Sequence, residues 1–440
     1  MTAVPWTLRA LRRALANGAT CPSELAEAAL ARSNGNASRN TYLWQDAVWT
    51  RAEAARAEAM PRSSGGPFGD GRPALWGLPI SVKDCFDLAG SPTTCGVRFY
   101  RDLNGMATRD SWLVEQLRAT GAVIVGKTHL HPLAYGITGE NPEFGDCVQP
   151  RDSGALTGGS SSGAVASVQE GSAVAAIGTD TGGSVRAPAA LGGLAGYRAT
   201  IGRGDWRGAA HLAVSFDTMG WLFRDLEDAP LLAATFATRE NVATVSFTRF
   251  AFLGDKFLYD CEPEVIESFR RVIGELQALG LDAEPIDLEG GLEWWMDSIE
   301  IFAPLQAAEA ALVHAGHFDR CEPAIRDRLK WGASLTPDEV ASLRQRHADY
   351  RARMDELFAA HQLVLLPCAP VARLAAGADH SQTRSRLLRY TSPFSLAGVP
   401  AVAIPCAHGG MQLAASREFD EQLLALAAQI GAQRNAVSEA

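Results

Sequence analysis

The stretch Gly158-Gly-Ser160-Ser161-Ser162-Gly163, followed by Gly178-Thr-Asp-Thr-Gly-Gly-Ser184-Val-Arg186, decides how this chain is read. It sits in a compositional anomaly. Eleven of the 44 residues from 153 to 196 are glycine, with serine and other small residues between them. Apolar runs at Ala164–Val168 and Val174–Ile177 interrupt the segment, so a helix and a strand are threaded between tight turns. Each glycine in a helix or strand interior costs about 0.5–1 kcal/mol, so such a density needs a reason. Thr181-Gly182-Gly183-Ser184 offers one. In a turn crowded by small residues, successive N–H groups can converge on one point, as an anion nest or oxyanion hole. The serine at its end is a candidate nucleophile and needs a base. No His or Asp stands in a Ser-His-Asp arrangement.

The candidate base lies upstream, in Gly77-Leu-Pro-Ile-Ser-Val-Lys83-Asp84. Leu78–Val82 reads as a short apolar strand with a lysine at its end. A lysine delivered by a buried strand is costly when charged, so its pKa should fall well below about 10.4. A neutral amine can take a proton from a hydroxyl, which is the Ser-Lys route to an activated nucleophile.

Outward from these motifs, Leu8, Leu11 and Leu15 repeat at helical spacing within 7–32, with Pro22 near a second helix start. An Ala/Glu/Arg-rich helix is expected over roughly 46–60, and Arg62–Pro73 is a breaker-dense loop. A helix over 109–120 leads into the strand Ala122–Val125, a strand–helix–strand rhythm that argues α/β with parallel strands. Residues 205–240 carry no clear pattern. Residues 262–280 are an amphipathic helix with Val265, Ile266, Phe269, Val272 and Ile273 on its apolar face. Residues 292–360 read as mostly helical, including Asp338–Ala359 after the N-cap Thr336 and Pro337. The strand Leu363–Leu366 and a helix over Phe419–Gln433 complete the chain.

Length, charge and cysteines set bounds. The 440 residues are 47% hydrophobic and 20% charged, ordinary globular usage that excludes disorder and fibrous architectures. A formal charge of −10 leaves no basic surplus for a nucleic-acid backbone. Eight cysteines, none in a C-x-x-C pair, exclude a zinc ribbon or thioredoxin-type motif and read as free thiols of a cytoplasmic protein. The first residues show no secretory signal pattern, and no stretch approaches the roughly 18 apolar residues of a membrane span.

Two further patterns compete for attention. Gly121-Ala-Val-Ile-Val-Gly126-Lys127-Thr128 fits G-x-x-x-x-G-K-T, but its x positions are themselves the strand, and Pro132 follows where a long helix should begin. His129 and His131 lack the i, i+4 spacing of a metal helix, so no metal site is expected.

Taken together, Gly77 to Arg186 resembles the amidase signature family, serine hydrolases that use a Ser–cis-Ser–Lys triad. The family's lysine lies in G-x-P-x-x-x-K-D and falls on Lys83. Its nucleophile, in G-T-D-x-G-G-S-[IV]-R, falls on Ser184, and its bridging serine, 24 residues earlier, falls on Ser160. Phe86–Thr94, Gly121–Thr128 and Tyr390–Pro405 resemble family segments as well.

The resemblance implies an α/β fold, a central mixed, mostly parallel sheet flanked by helices on both faces. It also implies one amidase domain: N-terminal helices at 1–60, a catalytic core at 74–240, a variable helical cap at 245–360, and a return to the sheet at 361–440. It implies hydrolysis of a small-molecule carboxylic amide, without metal or cofactor. Ser184 would attack, Ser160 would relay the proton to Lys83, and the N–H groups of Thr181, Gly182, Gly183 and Ser184 would form the oxyanion hole. Ser161 and Thr179 would support the site, Asp180 and Arg186 would pair to hold the turn, and Ser162 would cap the next helix.

Tyr135 is a candidate pocket wall, and Trp294-Trp295 could line the pocket. Amidotransferase subunits that hydrolyse glutamine carry an acid shortly before the Asn-Leu-Ala-Gly-x-Pro segment. This chain has Arg386-Leu-Leu-Arg389 there, so a stand-alone amidase is expected. The alternatives are a urea-type (biuret- or allophanate-like) hydrolase and the glutamine-hydrolysing subunit of a tRNA-dependent amidotransferase. A homodimer is the default expectation for assembly.

Overall fold

Strands covered on both faces carry near-continuous apolar runs rather than alternating ones, and the runs around Lys83, Gly126 and Ile177 are of this kind. The computed structural model describes residues 5–35, 39–63, 66–233, 235, 246–288 and 292–439. The expected join between core and cap near 240–245 lies outside them. The strands are β1 (Tyr42–Trp44), β2 (Pro79–Lys83), β3 (Val123–Thr128), β4 (Val148–Gln149), β5 (Asp152–Leu156), β6 (Ala175–Asp180) and β7 (Ala195–Arg198). They continue with β8 (Thr218–Phe223), β9 (Arg249–Leu253), β10 (Asp282–Ile286), β11 (Leu363–Pro367), β12 (Ala401–Pro405) and β13 (Gly410–Ala415). Every residue of β2, β3, β6, β7 and β8 is buried.

Eleven of the described strands form one sheet, in the order β1-β3-β2-β6-β8-β7-β12-β13-β11-β9-β10, while β4 and β5 pair separately. The sheet is mixed and flanked by helices, as expected, but it is not mostly parallel. The parallel pairs are β2 with β3 and β6, and β9 with β10 and β11. The other six neighbouring pairs are antiparallel. The strand–helix–strand rhythm holds for β2–β3 and β9–β10. It fails at the centre, where β8, from the stretch without a readable pattern, inserts antiparallel between β6 and β7. The tight turn at Cys406–Gly409 folds β13 back on β12. Residues 249–286, expected within a helical cap, also add β9 and β10 to this sheet.

The helices fall close to their sequence signals. Leu8–Ala16, Pro22–Asn34, Ala47–Glu58 and Pro263–Ala278 match the expected spans. Thr336 caps Pro337–His361 with a capping box, its hydroxyl accepting from the Glu339 N–H at 3.3 Å. The helix Ser162–Glu170 packs on β6 and β2 and opens at the C-terminal end of β3, where Gly163 N–H donates to the His129 carbonyl at 2.9 Å. All eight cysteines are free. Among the described residues no helix is long and apolar enough to cross a membrane.

Candidate active site

Three backbone segments converge: the C-terminal end of β2, the loop before the helix Ser162–Glu170, and the turn that follows β6. Lys83, the last residue of β2, is fully buried, and its Nζ lies 2.8 Å from Ser160 Oγ and 2.8 Å from Thr179 Oγ1. No carboxylate lies within ion-pair distance of it among the described residues. Burial pushes the lysine down from its ordinary value to about 8, although Cys85, Asp180 and Asp217 pull the other way. The Gly159–Ser160 peptide is cis. Ser161 N–H donates to the Ser184 carbonyl at 3.2 Å, so the serine loop and the end of the turn lie side by side. Ser184 is 5% exposed.

The turn is held from three sides. Thr181 Oγ1 donates to Asp217 Oδ1 at 2.6 Å. Thr391 Oγ1 donates to the Gly182 carbonyl at 2.5 Å. Gly183 has φ +117°, and a Cβ there would meet Thr391 at 2.6 Å; at Gly182 it would meet Phe302 at 2.6 Å. Side chains are therefore excluded at both positions. One expected oxyanion donor drops out. Gly183 N–H already donates to Asp180 Oδ1 at 2.8 Å, which leaves the N–H groups of Thr181, Gly182 and Ser184 without an acceptor among the described residues.

Asp180 and Arg186 pair as expected, with Nε to Oδ2 and Nη2 to Oδ1 both at 3.0 Å. A second guanidinium, missed in the sequence, completes the cluster: Arg198 Nη1 donates to Asp180 Oδ1 at 2.8 Å. Burial alone would raise the Asp180 carboxyl, but the two guanidiniums overrule it and hold it well below the usual range. Asp217 and Thr391 were missed too, because they come from remote segments and no local spacing marks them. Thr179 touches the lysine directly rather than merely bracing the turn. Ser161 occupies the N-cap position and donates its hydroxyl to the Thr179 carbonyl at 3.3 Å. Ser162, expected to cap, instead has its Oγ 2.7 Å from His129 Nδ1.

The expected pocket residues scatter. Tyr135 is 1% exposed, and its ring lies beneath the guanidiniums of Arg328 (4.6 Å) and Arg384 (5.8 Å). Trp295 is fully buried against Phe257 and Phe394, so it belongs to the core. Trp294 lines a separate surface cleft of about 690 Å³ with Leu292 and Arg353; none of Lys83, Ser160 and Ser184 borders it. The two indoles still touch, with ring centroids 6.1 Å apart, but one lies in the core and the other at the cleft.

The G-x-x-x-x-G-K-T stretch is strand β3. Lys127 is fully buried, with Asp84 Oδ1 at 2.7 Å and the Pro92 carbonyl at 2.6 Å, so it is not available to a phosphate. His129 is neutral, pushed down to about 4 by burial, and its Nε2 lies 2.9 Å from the Gly145 carbonyl. No group of three metal-ligating side chains occurs among the described residues.

Comparison with known proteins places this geometry. The profile of the Amidase family matches residues 24–424. The chain is similar to the indoleacetamide hydrolase of Pseudomonas savastanoi, with 32% identity covering 94% of this chain and 92% of the relative. It is also similar to a glutamyl-tRNA(Gln) amidotransferase subunit of Nitratidesulfovibrio vulgaris, with 30% identity over 85% and 86% of the two chains. A crystal structure of an amidase superposes with a TM-score of 0.85 at 29% identity, covering 97% of this chain and 99% of that one. The chain belongs to the amidase signature family of amide-hydrolysing enzymes.

Proposed function

We propose that this chain is a stand-alone amidase that cleaves a carboxylic amide through an acyl-enzyme on Ser184. The observation that carries the reading is the buried Lys83, shifted to about 8, with its Nζ 2.8 Å from Ser160 Oγ. In its neutral form the amine accepts the Ser160 proton while Ser160 accepts that of Ser184, and Ser184 Oγ attacks the carbonyl carbon. The negative charge that develops on the carbonyl oxygen is met by the free N–H groups of Thr181, Gly182 and Ser184, an interaction typically worth several kcal/mol. Lys83 then returns the proton through Ser160 to the leaving nitrogen, the C–N bond breaks, and water hydrolyses the ester by the same relay.

One observation weighs against the glutamine-hydrolysing alternative. Among the side chains of Arg386–Arg389, the one beside the turn is Leu388, 3.1 Å from where a Gly182 Cβ would stand. An apolar group there offers nothing to an α-ammonium. The relatives named indoleacetamide hydrolase support a primary amide as substrate.

The test is intact mass after incubation with a fluorophosphonate, on wild type and Ser184→Ala. One adduct on the wild type and none on the variant is expected. A label that persists on Ser184→Ala moves the nucleophile elsewhere, and no label on either protein rejects an activated serine.

A further inference from the structure

The helix Thr383–Ala397 turns one stripe toward the catalytic turn: Arg384, Leu388, Thr391 and Ser395, spaced i, i+4, i+7 and i+11. Three of the four are accounted for. Ser395 Oγ accepts from Arg186 Nη2 at 2.8 Å, Thr391 holds the Gly182 carbonyl, and Leu388 packs on the turn. Among the described residues Arg384, one turn further out, donates only to Gln306 Oε1, at 2.9 Å.

Arg384 shares the face of Tyr135 with Arg328, whose Nε donates to the Ala324 carbonyl of its own helix, at 3.1 Å. The two guanidiniums are half-buried and close enough to repel each other, and no carboxylate lies within 4 Å of either among the described residues. Burial and the neighbouring Arg328 push Arg384 down to about 10. Paired arginines with no carboxylate in contact, in a partly dry site, are an unusual expense in a folded chain.

Both line a cavity of about 660 Å³ that His131 and Ile137 also border, and these two residues are hydrogen-bonded to the serine loop. His131 N–H donates to the Ser160 carbonyl at 3.1 Å, and Gly159 N–H donates to the Ile137 carbonyl at 2.8 Å. His131 Nδ1 has no hydrogen-bond partner among the described residues, though the residue is only 8% exposed. The cavity also has acidic residues, and three of them have local partners. Glu140 accepts from Thr138 Oγ1, Asp146 from the Asn141 N–H and Asp379 from the Ser381 N–H. Glu322 makes no ion pair within 4 Å of either arginine among the described residues, although it and Arg328 each favour the other's charge.

We propose that Arg384 and Arg328 bind a carboxylate carried by the amide substrate, several bonds from the scissile carbonyl. Arg384 stands seven residues before Thr391, about 10 Å along the helix axis at 1.5 Å per residue, so the anion and the reacting carbonyl sit at opposite ends of one short chain. A planar guanidinium grips a carboxylate through two parallel hydrogen bonds, a contact a neutral amide cannot replace. The inference rests on the amidase reading above, and names the substrate class for it.

The test compares kcat/KM for glutaramate and adipamate with that for valeramide, and for N-acetyl-β-alanine with N-ethylacetamide. The first comparison places the carboxylate on the acyl side, the second on the leaving amine. Wild type is expected to prefer the carboxylate member of one comparison at least 30-fold, mainly through KM. In Arg384→Gln and Arg328→Gln that preference should fall to within about threefold, with partial recovery in Arg384→Lys.

A second readout needs no turnover. Glutarate should raise the Tm of Ser184→Ala but not that of Ser184→Ala/Arg384→Gln, each shown to be folded by circular dichroism. Equal treatment of charged and neutral amides by wild type, or a preference unmoved by both glutamine variants, overturns the proposal. Labelling of Ser184 by fluorophosphonate in the same samples separates the two failures: a labelled enzyme without the preference refutes only the carboxylate site, and an unlabelled one refutes the amidase reading beneath it.

Discussion

Lys83 carries the chemistry and also a cost that is readable as a pH dependence. Its folded value, about 8, lies below the ordinary 10.5, so the folded state binds its proton more weakly than the unfolded chain does. The penalty is fully present below pH 8 and fades as pH rises through 10.5, above which neither state is protonated. Over that window a shift of this size corresponds to about 3 kcal/mol. The stability advantage of Lys83→Met over wild type, measured by urea unfolding, is therefore expected to shrink by about that amount between neutral pH and the alkaline end. A difference independent of pH would mean that burial does not shift the lysine and that it stays charged in the folded protein. Wild-type kcat/KM should rise with pH through about 8 as the neutral amine fills, whereas a merely structural lysine would leave no such inflection.

At the scale of elements, the site depends on how closely a helix can approach a strand end. The helix Ser162–Glu170 begins where β3 stops, and a Cβ on Gly163 would lie 2.2 Å from the Thr41 carbonyl oxygen and 2.5 Å from His129 N. Both obstacles are backbone, so no side chain can rotate away. Gly163→Ala is expected to cost about 2–3 kcal/mol through overpacking, read as a lower urea midpoint at an unchanged m-value. It should also lower kcat, because the same shift moves Ser160. A loss under about 0.5 kcal/mol would show that the loop absorbs the methyl elsewhere. The Gly-Ser-rich motif is legible in sequence because this approach must be met by neighbouring residues. Arg198, Asp217 and Thr391 were not legible, since each meets the turn from a different element.

At the scale of the molecule, Arg186 ties the catalytic turn to the end of the chain. Its guanidinium donates to both Asp180 oxygens, to the Thr391 carbonyl at 3.0 Å, to Ser395 Oγ at 2.8 Å and to Gln412 Oε1 at 2.7 Å. Those last partners lie 205 to 226 residues away in sequence. Arg186→Lys keeps the charge but cannot reproduce the fork. It leaves buried acceptors without their donors, at about 1–3 kcal/mol each, so a loss of at least about 2 kcal/mol is expected, with kcat falling as well. Equilibrium unfolding checks it, and a loss under 1 kcal/mol would mean that Arg198 alone satisfies Asp180.

What the sequence by itself determined is local. The G-x-P-x-x-x-K-D strand, the Gly-Ser loop and the Thr-Gly-Gly-Ser turn declare their chemistry because strand burial, tight turns and close backbone approach act within a few residues. Helix starts such as Thr336 are legible for the same reason. Only the tertiary structure decided the order and direction of the sheet, since β8 enters from a stretch with no periodic signal and the antiparallel returns depend on pairing between remote segments. It also decided that Trp295 is core, that Gly183 N–H is spent on Asp180, and that Arg328 and Arg384 share one aromatic face. Those outcomes depend on which side chains meet across the fold, and spacing along a chain carries no record of that.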